Sequence, residues 1–225
     1  MMISPEGYYE EFLKGRSKEE ILRTIRGLKK EFERLKNITE KRGYDLDIDI
    51  HPNIKTQINM TREYLVIAKQ AYVEAGGVYK LSRSELKSAD FDSNIDFLSK
   101  ITFGIGGFFG GSRDYVVYLK DGFNAFSKGW DDEVPLIVLD EDDEPFTRDS
   151  FIAALKNLHI GEWRSFYSTE RFGYVVCDGT QWEIEFEYSN GHRPLKYSGD
   201  NSYPYNFDEF ELLFGISDIM EDDDE

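Results

Sequence analysis

From Trp182 to Tyr188 every second residue is apolar, and the three between them are Glu183, Glu185 and Glu187. A period of two is what a strand with one buried face requires, and it gathers the three carboxylates on the other face. Asn190-Gly191 follows, a pair suited to both central positions of a type I′ hairpin turn. Pairing outward from that turn sets Tyr188 against Arg193, Phe186 against Leu195, Glu185 against Lys196 and Ile184 against Tyr197. Apolar then meets apolar and acid meets base, so one register explains residues on both strands. Upstream, Gly173 to Cys177 reads as a third strand of an antiparallel meander, turning at Asp178-Gly179. Downstream, Pro204 ends the extended structure, and Asn206 is placed to cap a short helix through Phe214 that stops at Gly215 and closes over the apolar face.

The start of the chain has a different period. Ser17 and Glu20 form a capping-box pattern ahead of Ile21, Ile25, Leu28, Phe32 and Leu35, whose spacing of four and three lies on one helix face. A linker is expected over Asn37 to His51, in which Asp45 to Ile50 alternate as a short edge strand or are merely extended. Pro52 suits the first turn of a second helix, which carries Ile54, Ile58, Leu65, Ala68, Tyr72 and Ala75 and ends at Gly76-Gly77. Packing onto the rest of the protein is the simpler use of such a hairpin, and dimerisation as a coiled coil is the alternative.

Leu81 to Asp96 reads as a polar connection. Ile101, Phe103 and Ile105 alternate as one strand and Tyr115, Val117 and Leu119 as another, joined through Gly106, Gly107, Gly110 and Gly111. Val134 to Leu139 is a continuous apolar run, expected to be a strand buried on both faces. A helix follows from Thr147 through Leu158. The expected fold is therefore α+β: an N-terminal antiparallel helical hairpin over 1–88, a mainly antiparallel β-sheet domain with two covering helices over 89–218, and an acidic tail over 219–225.

Several chemistries are disfavoured on spacing. The glycines from Gly104 to Gly111 lead through Ser112-Arg113-Asp114 into a strand, whereas a phosphate loop ends in Lys-Ser/Thr and opens a helix. His51, His159 and His192 are scattered, and neither they nor Cys177 show metal-ligand spacing. A Cys177–His192 dyad would need the two ends of the meander to meet, so Cys177 reads as a small core residue. Asp140 to Glu144 has the charge of a calcium loop without its central glycine, which is the pattern of a solvated turn. The glutamates of the 182–188 strand stand about 6.5–7 Å apart, within glycosidase range, but no other feature supports that use. No cofactor or metal is implied.

Charge divides the chain more sharply. The net charge is −17. Residues 1–88 carry 17 Lys+Arg against 14 Asp+Glu, and residues 89–225 carry 10 against 30. A field of that sign repels nucleic acid and acidic membranes and favours basic partners. The chain has no apolar run long enough to span a membrane and no secretory-type start, so a cytoplasmic location is the expectation. The single cysteine makes no internal disulfide and fits a reducing compartment.

The expected activity is non-catalytic binding of a basic protein surface. The candidate contact residues are Glu183, Glu185, Glu187, Asp131, Asp132, Glu133, Asp140, Glu141, Asp142, Asp143 and Glu144. The alternatives are an acidic inhibitor that mimics nucleic acid and occupies a nuclease, an inhibitor of a protease, and a hydrolase using carboxylates.

Three segments, MISPEGYYEEFLKGRSKEEI, REYLVIAKQAYVEAGGVYKLSRSE and GEWRSFYSTERFGYVVCDGTQWEIEFEYSNGHRPLKYSGDNSYPYNFDEF, resemble a family of bacterial proteins of unknown function. That resemblance implies an intracellular bacterial protein and supplies no site residues. In the C-terminal part, the order of a glycine-rich strand turn at Gly106-Gly107-Phe108-Phe109-Gly110, a helix, a strand pair and a closing helix is similar to the layout of emfourin-type metalloprotease inhibitors.

Overall fold

The computed structural model describes residues 3–42, 52–107, 111–129, 132–140, 143–176 and 178–216, apart from the side chain of residue 42. The chain divides into two compact units, Met1–Ser82 and Arg83–Glu225.

In the first unit α1 (Pro5–Tyr8) runs into a single π-helical turn, Tyr9–Leu13, followed by α2 (Lys18–Arg42) and α3 (Ile54–Glu74). The capping box forms: the Ser17 amide donates to the Glu20 carboxylate at 2.9 Å, and the Glu20 amide donates to Ser17 Oγ at 3.4 Å. Asn53, not Pro52, begins α3, its Oδ1 accepting from the Thr56 amide at 2.8 Å. Gly76 ends the helix at φ +79°, where a Cβ would be strained. Ile21 and Ile25 share a buried cluster with Leu65, Ala68, Ala71 and Leu13. Further along, the Arg62 guanidinium lies over the Phe32 ring at 5.4 Å, so rising positions on α2 meet falling positions on α3 and the two helices are antiparallel. Asn37 to Arg42, expected as linker, continue α2, because Leu35 and Thr39 extend its buried face. The proposed strand at Asp45 to Ile50 lies outside the described residues.

The second unit is α+β. Its elements are α4 (Arg83–Asn94), β1 (Leu98–Gly107), β2 (Gly111–Tyr118), β3 (Asn124–Lys128), β4 (Glu133–Leu136), α5 (Arg148–Asn157), β5 (Phe166–Ser168), β6 (Thr180–Tyr188), β7 (Leu195–Asp200) and α6 (Phe207–Leu212). The seven strands lie in the order β4-β3-β2-β1-β6-β7-β5, antiparallel throughout except for β5 against β7. Alternation puts Ile101, Phe103, Val117, Trp182, Ile184, Phe186 and Tyr197 on one buried face. The helices cover that face: Phe91 of α4 meets Phe186 edge-on at 5.3 Å, and Phe207 and Phe210 of α6 meet Phe103 at 5.8 and 5.3 Å. Phe151 of α5 joins them through Phe214 at 6.2 Å. Each such ring removes enough apolar surface to contribute about 1.5–3 kcal/mol.

Several expectations are corrected. The polar segment after Leu81 is α4, a continuous helix anchored by buried Phe91, and a boundary at 88 falls within it. The neighbour of β6 opposite β7 is β1, not Gly173 to Cys177; Tyr174 to Val176 form no strand, and Cys177 lies outside the described residues. Val134 to Leu139 is not buried on both faces. Only Val134 to Leu136 lie in a strand, the edge strand β4, with Pro135 inside it and Val134 46% exposed; Ile137, just past its end, is 82% exposed. Proline donates no ladder hydrogen bond and is confined to such edges.

The β6–β7 register is the one read from the sequence, with Phe186 opposite Leu195, Glu185 opposite Lys196 and Ile184 opposite Tyr197. The turn differs. Asn190 does not take positive φ, and its Oδ1 instead accepts from the His192 amide at 3.0 Å while its amide donates to Asn94 at 2.8 Å. Pro194 has no N–H to extend the ladder past Leu195, so the connection is wider than a two-residue hairpin. Asn206 makes no cap bond to α6. Its buried side chain accepts from Trp163 Nε1 at 2.9 Å and donates to the Leu158 carbonyl at 2.8 Å.

Candidate functional site

The face of the sheet opposite the helices carries the charge. β6 supplies Glu183, Glu185 and Glu187, and because β6 is paired on both sides their spacing is fixed by two ladders. Across from Glu187 on β1, Lys100 Nζ donates to its carboxylate at 2.8 Å. On β7, Lys196 reaches Glu185 at 3.0 Å and Glu183 at 3.4 Å. Both lysines are held above the ordinary lysine range, Lys100 chiefly by its hydrogen bond to Glu187 and Lys196 by those to Glu185 and then Glu183. Three carboxylates thus face two ammonium groups. Beyond β1 the same face continues through Thr102, Val116 and Phe126, with the Tyr118 and Phe126 rings 6.1 Å apart.

The other candidate acids are dispersed. Asp132 faces Arg113 at 3.6 Å, and Glu133 faces Lys128 at 3.1 Å across the β3–β4 edge. Asp140 closes a turn: its Oδ1 accepts from the Glu144 amide at 3.1 Å, and its own amide donates to the Glu144 carbonyl at 2.8 Å. Asp143 stands in that turn at φ +61°. Asp131, Glu141 and Asp142 lie outside the described residues. The structure therefore brings together Glu183, Glu185 and Glu187, and leaves Asp132, Glu133, Asp140, Asp143 and Glu144 serving local pairs and turns.

A second polar cluster, on the helix-covered face, has no local signal in the sequence. Asp90 of α4 meets His192 Nε2 at 3.1 Å, and the His192 ring stands edge-on to Tyr188 at 4.7 Å. Lys87, one turn earlier, donates to the Trp163 carbonyl at 2.8 Å and lies 4.4 Å over the Tyr197 ring. Asp92 is held above the usual carboxylate range by burial and by the charge of Glu162, against a hydrogen bond from Ser88. These residues are about a hundred positions apart, and only the packing of α4 on the β6–β7 end unites them.

Among the described residues no group of three or more His, Cys, Asp and Glu is arranged to hold a metal ion, and no helix is long and apolar enough to cross a membrane. Compared with protein-family models, curated proteins and solved structures, the chain matches none.

Proposed function

We propose that this protein is a non-catalytic binding protein that engages a basic protein surface through the carboxylate row of β6. The observation that carries this reading is the placement of Glu183, Glu185 and Glu187 on the face opposite the helices, at a spacing fixed by strands on both sides. Such a row is organised before contact, which lowers the ordering cost of association.

The lysines do not block the row. Exposed ion pairs contribute only about 0–1 kcal/mol each, so an incoming guanidinium, which binds a carboxylate in bidentate fashion, competes with Lys196 and Lys100 at little cost. Tyr118, with Phe126 and Thr102 beside it, supplies a partly exposed flank of the kind that adds affinity beside a charged contact. The excess of acidic over basic residues in 89–225 adds long-range attraction for a basic partner and sets a fast, salt-sensitive encounter.

Capture from cell extract with the wild-type chain and with the triple variant Glu183→Lys, Glu185→Lys, Glu187→Lys tests the reading. The expected result is a basic protein retained by the wild type, released by raised salt and lost with the triple variant. Equal capture by the two forms would overturn it.

A further inference from the structure

The outward face of α2 carries cations that the fold leaves unused. Arg23, Arg26 and Lys30 follow a spacing of three and four on the side of the helix away from Ile21, Ile25, Leu28 and Phe32, and all three are exposed. Among the described residues none of the three makes a side-chain hydrogen bond or a salt bridge. The acids nearby are engaged elsewhere: Glu20 closes the capping box with Ser17, and Glu31 holds Arg34 by two contacts of 2.7 and 2.6 Å. Gly27 stands among the three cations. A glycine inside a helix weakens it relative to alanine, and here an added Cβ would meet nothing within 4 Å, so no internal neighbour calls for its small size. A bare spot ringed by cations is what the close approach of another backbone requires.

The complement of that face is acidic, and the chain itself supplies one. Every copy that offers the α2 cations also offers the β6 row. The three carboxylates of the row span about 13–14 Å from first to last. Arg23 to Lys30 rise over about 10–11 Å of helix, and the long side chains of arginine and lysine cover the difference. The row remains open to a second molecule, with the Glu183 side chain 61% and the Glu187 side chain 41% exposed. Two of the three cations are guanidinium groups, which grip a carboxylate through two N–H donors where the resident lysines hold it as point charges. The net charge of −17 sets two copies against each other at long range. At physiological ionic strength the Debye length is about 8 Å, so the charges that face one another across a contact decide its sign.

We propose that α2 of one copy docks its face of Arg23, Arg26, Gly27 and Lys30 on the β6 carboxylate row of a second copy, so that the chain associates with itself. The second copy is then the basic partner, an identity that rests on the reading of Glu183, Glu185 and Glu187 as a contact surface. The contact differs from a coiled coil, because the apolar stripe of α2 stays packed on Leu65 and Ala68 of α3 and only the charged face meets the other copy.

Sedimentation equilibrium of the full chain at about 0.15 M salt tests this. The wild type is expected to show a mass above that of one chain, falling toward it on dilution. The triple variant Arg23→Glu, Arg26→Glu, Lys30→Glu and the triple variant Glu183→Lys, Glu185→Lys, Glu187→Lys are each expected to be monomeric. Their equimolar mixture is expected to regain the heavier species, since the intact cations of one meet the intact carboxylates of the other. Gly27→Gln adds no charge and favours the helix, yet it is expected to weaken association at least about tenfold by holding the two backbones apart. A wild type that stays monomeric, a mixture that does, or a Gly27→Gln chain that associates as the wild type does would overturn the proposal. A monomeric wild type whose Glu183, Glu185 and Glu187 are still protected from carbodiimide by an arginine-rich peptide removes self-association alone. If that peptide protects none of the three, the reading of the row as a contact surface falls with it.

Discussion

Replacing Gly199 with alanine tests the packing beneath the carboxylate row. Gly199 lies on β7 between Trp182 of β6 and Tyr167 of β5. A Cβ there would stand 2.4 Å from Trp182 Nε1, 2.5 Å from its Cε2 and 2.5 Å from the Ser202 carbonyl oxygen. The indole has nowhere to retreat: it donates to that carbonyl at 2.9 Å and is backed by Phe207 at 4.6 Å. Overpacking of a filled core costs about 1–3 kcal/mol, and displacing the indole hydrogen bond adds about 1 kcal/mol, so Gly199→Ala is expected to destabilise by about 2–4 kcal/mol. The control is Gly27→Ala in α2, where the added methyl meets nothing within 4 Å. An open helix interior gains about 1 kcal/mol from that change, so the same chemical substitution is expected to have opposite signs at the two sites. Urea unfolding followed by tryptophan fluorescence reads Gly199→Ala, and far-UV circular dichroism reads Gly27→Ala, which has no tryptophan in its unit. A Gly199→Ala midpoint within about 0.5 kcal/mol of wild type would refute the packing described, since that is the range of a neutral surface change.

Two further outcomes follow from named contacts. Asn206→Ala leaves Trp163 Nε1 and the Leu158 carbonyl buried without their partner, so thermal unfolding is expected to show a loss of about 2–4 kcal/mol, against the ~1 kcal/mol typical of a residue that acts only as a cap. Asp92 binds its proton more tightly when folded than when unfolded, so its contribution to stability falls as pH rises from the unfolded pKa through the raised folded one. Asp92→Asn is therefore expected to melt above wild type at pH 7 and to lose that advantage at pH 3, and an advantage independent of pH would contradict the raised carboxyl.

What the sequence disclosed followed from how local each signal was. The β6–β7 register was legible because alternation and a turn pair lie within twenty residues, and α2 because its cap and stripe are contiguous. The pairing of β6 with β1 joins residues more than seventy apart and leaves no mark on either strand. α4 was hidden because RSELKSADFDSN has few apolar residues; it is held by Phe91 and by the polar contacts of Lys87 and Asp90, all of which are tertiary. The run at Val134 looked like a buried strand on hydropathy alone, although Pro135 already indicated an edge. Of the candidate contact residues, alternation placed Glu183, Glu185 and Glu187 together. Charge density alone brought in Asp132, Glu133, Asp140, Asp143 and Glu144, which the structure assigns to pairs and turns. The polar contacts of Lys87 with Trp163 and of Asp90 with His192 beneath α4 were not foreseen, because they depend on helix docking.

Binding of a basic partner at the sheet face requires that the β6 carboxylates be accessible to a cation-bearing chain. Carbodiimide labelling of carboxyl groups, read by peptide mass spectrometry with and without an arginine-rich peptide at low salt, measures this. Glu183, Glu185 and Glu187 are expected to be protected together, with Asp140, Asp143 and Glu144 labelled as before and the protection lost at high salt. Protection spread evenly over every exposed acid, or absent from these three, would show that the sheet face is not where a basic partner binds.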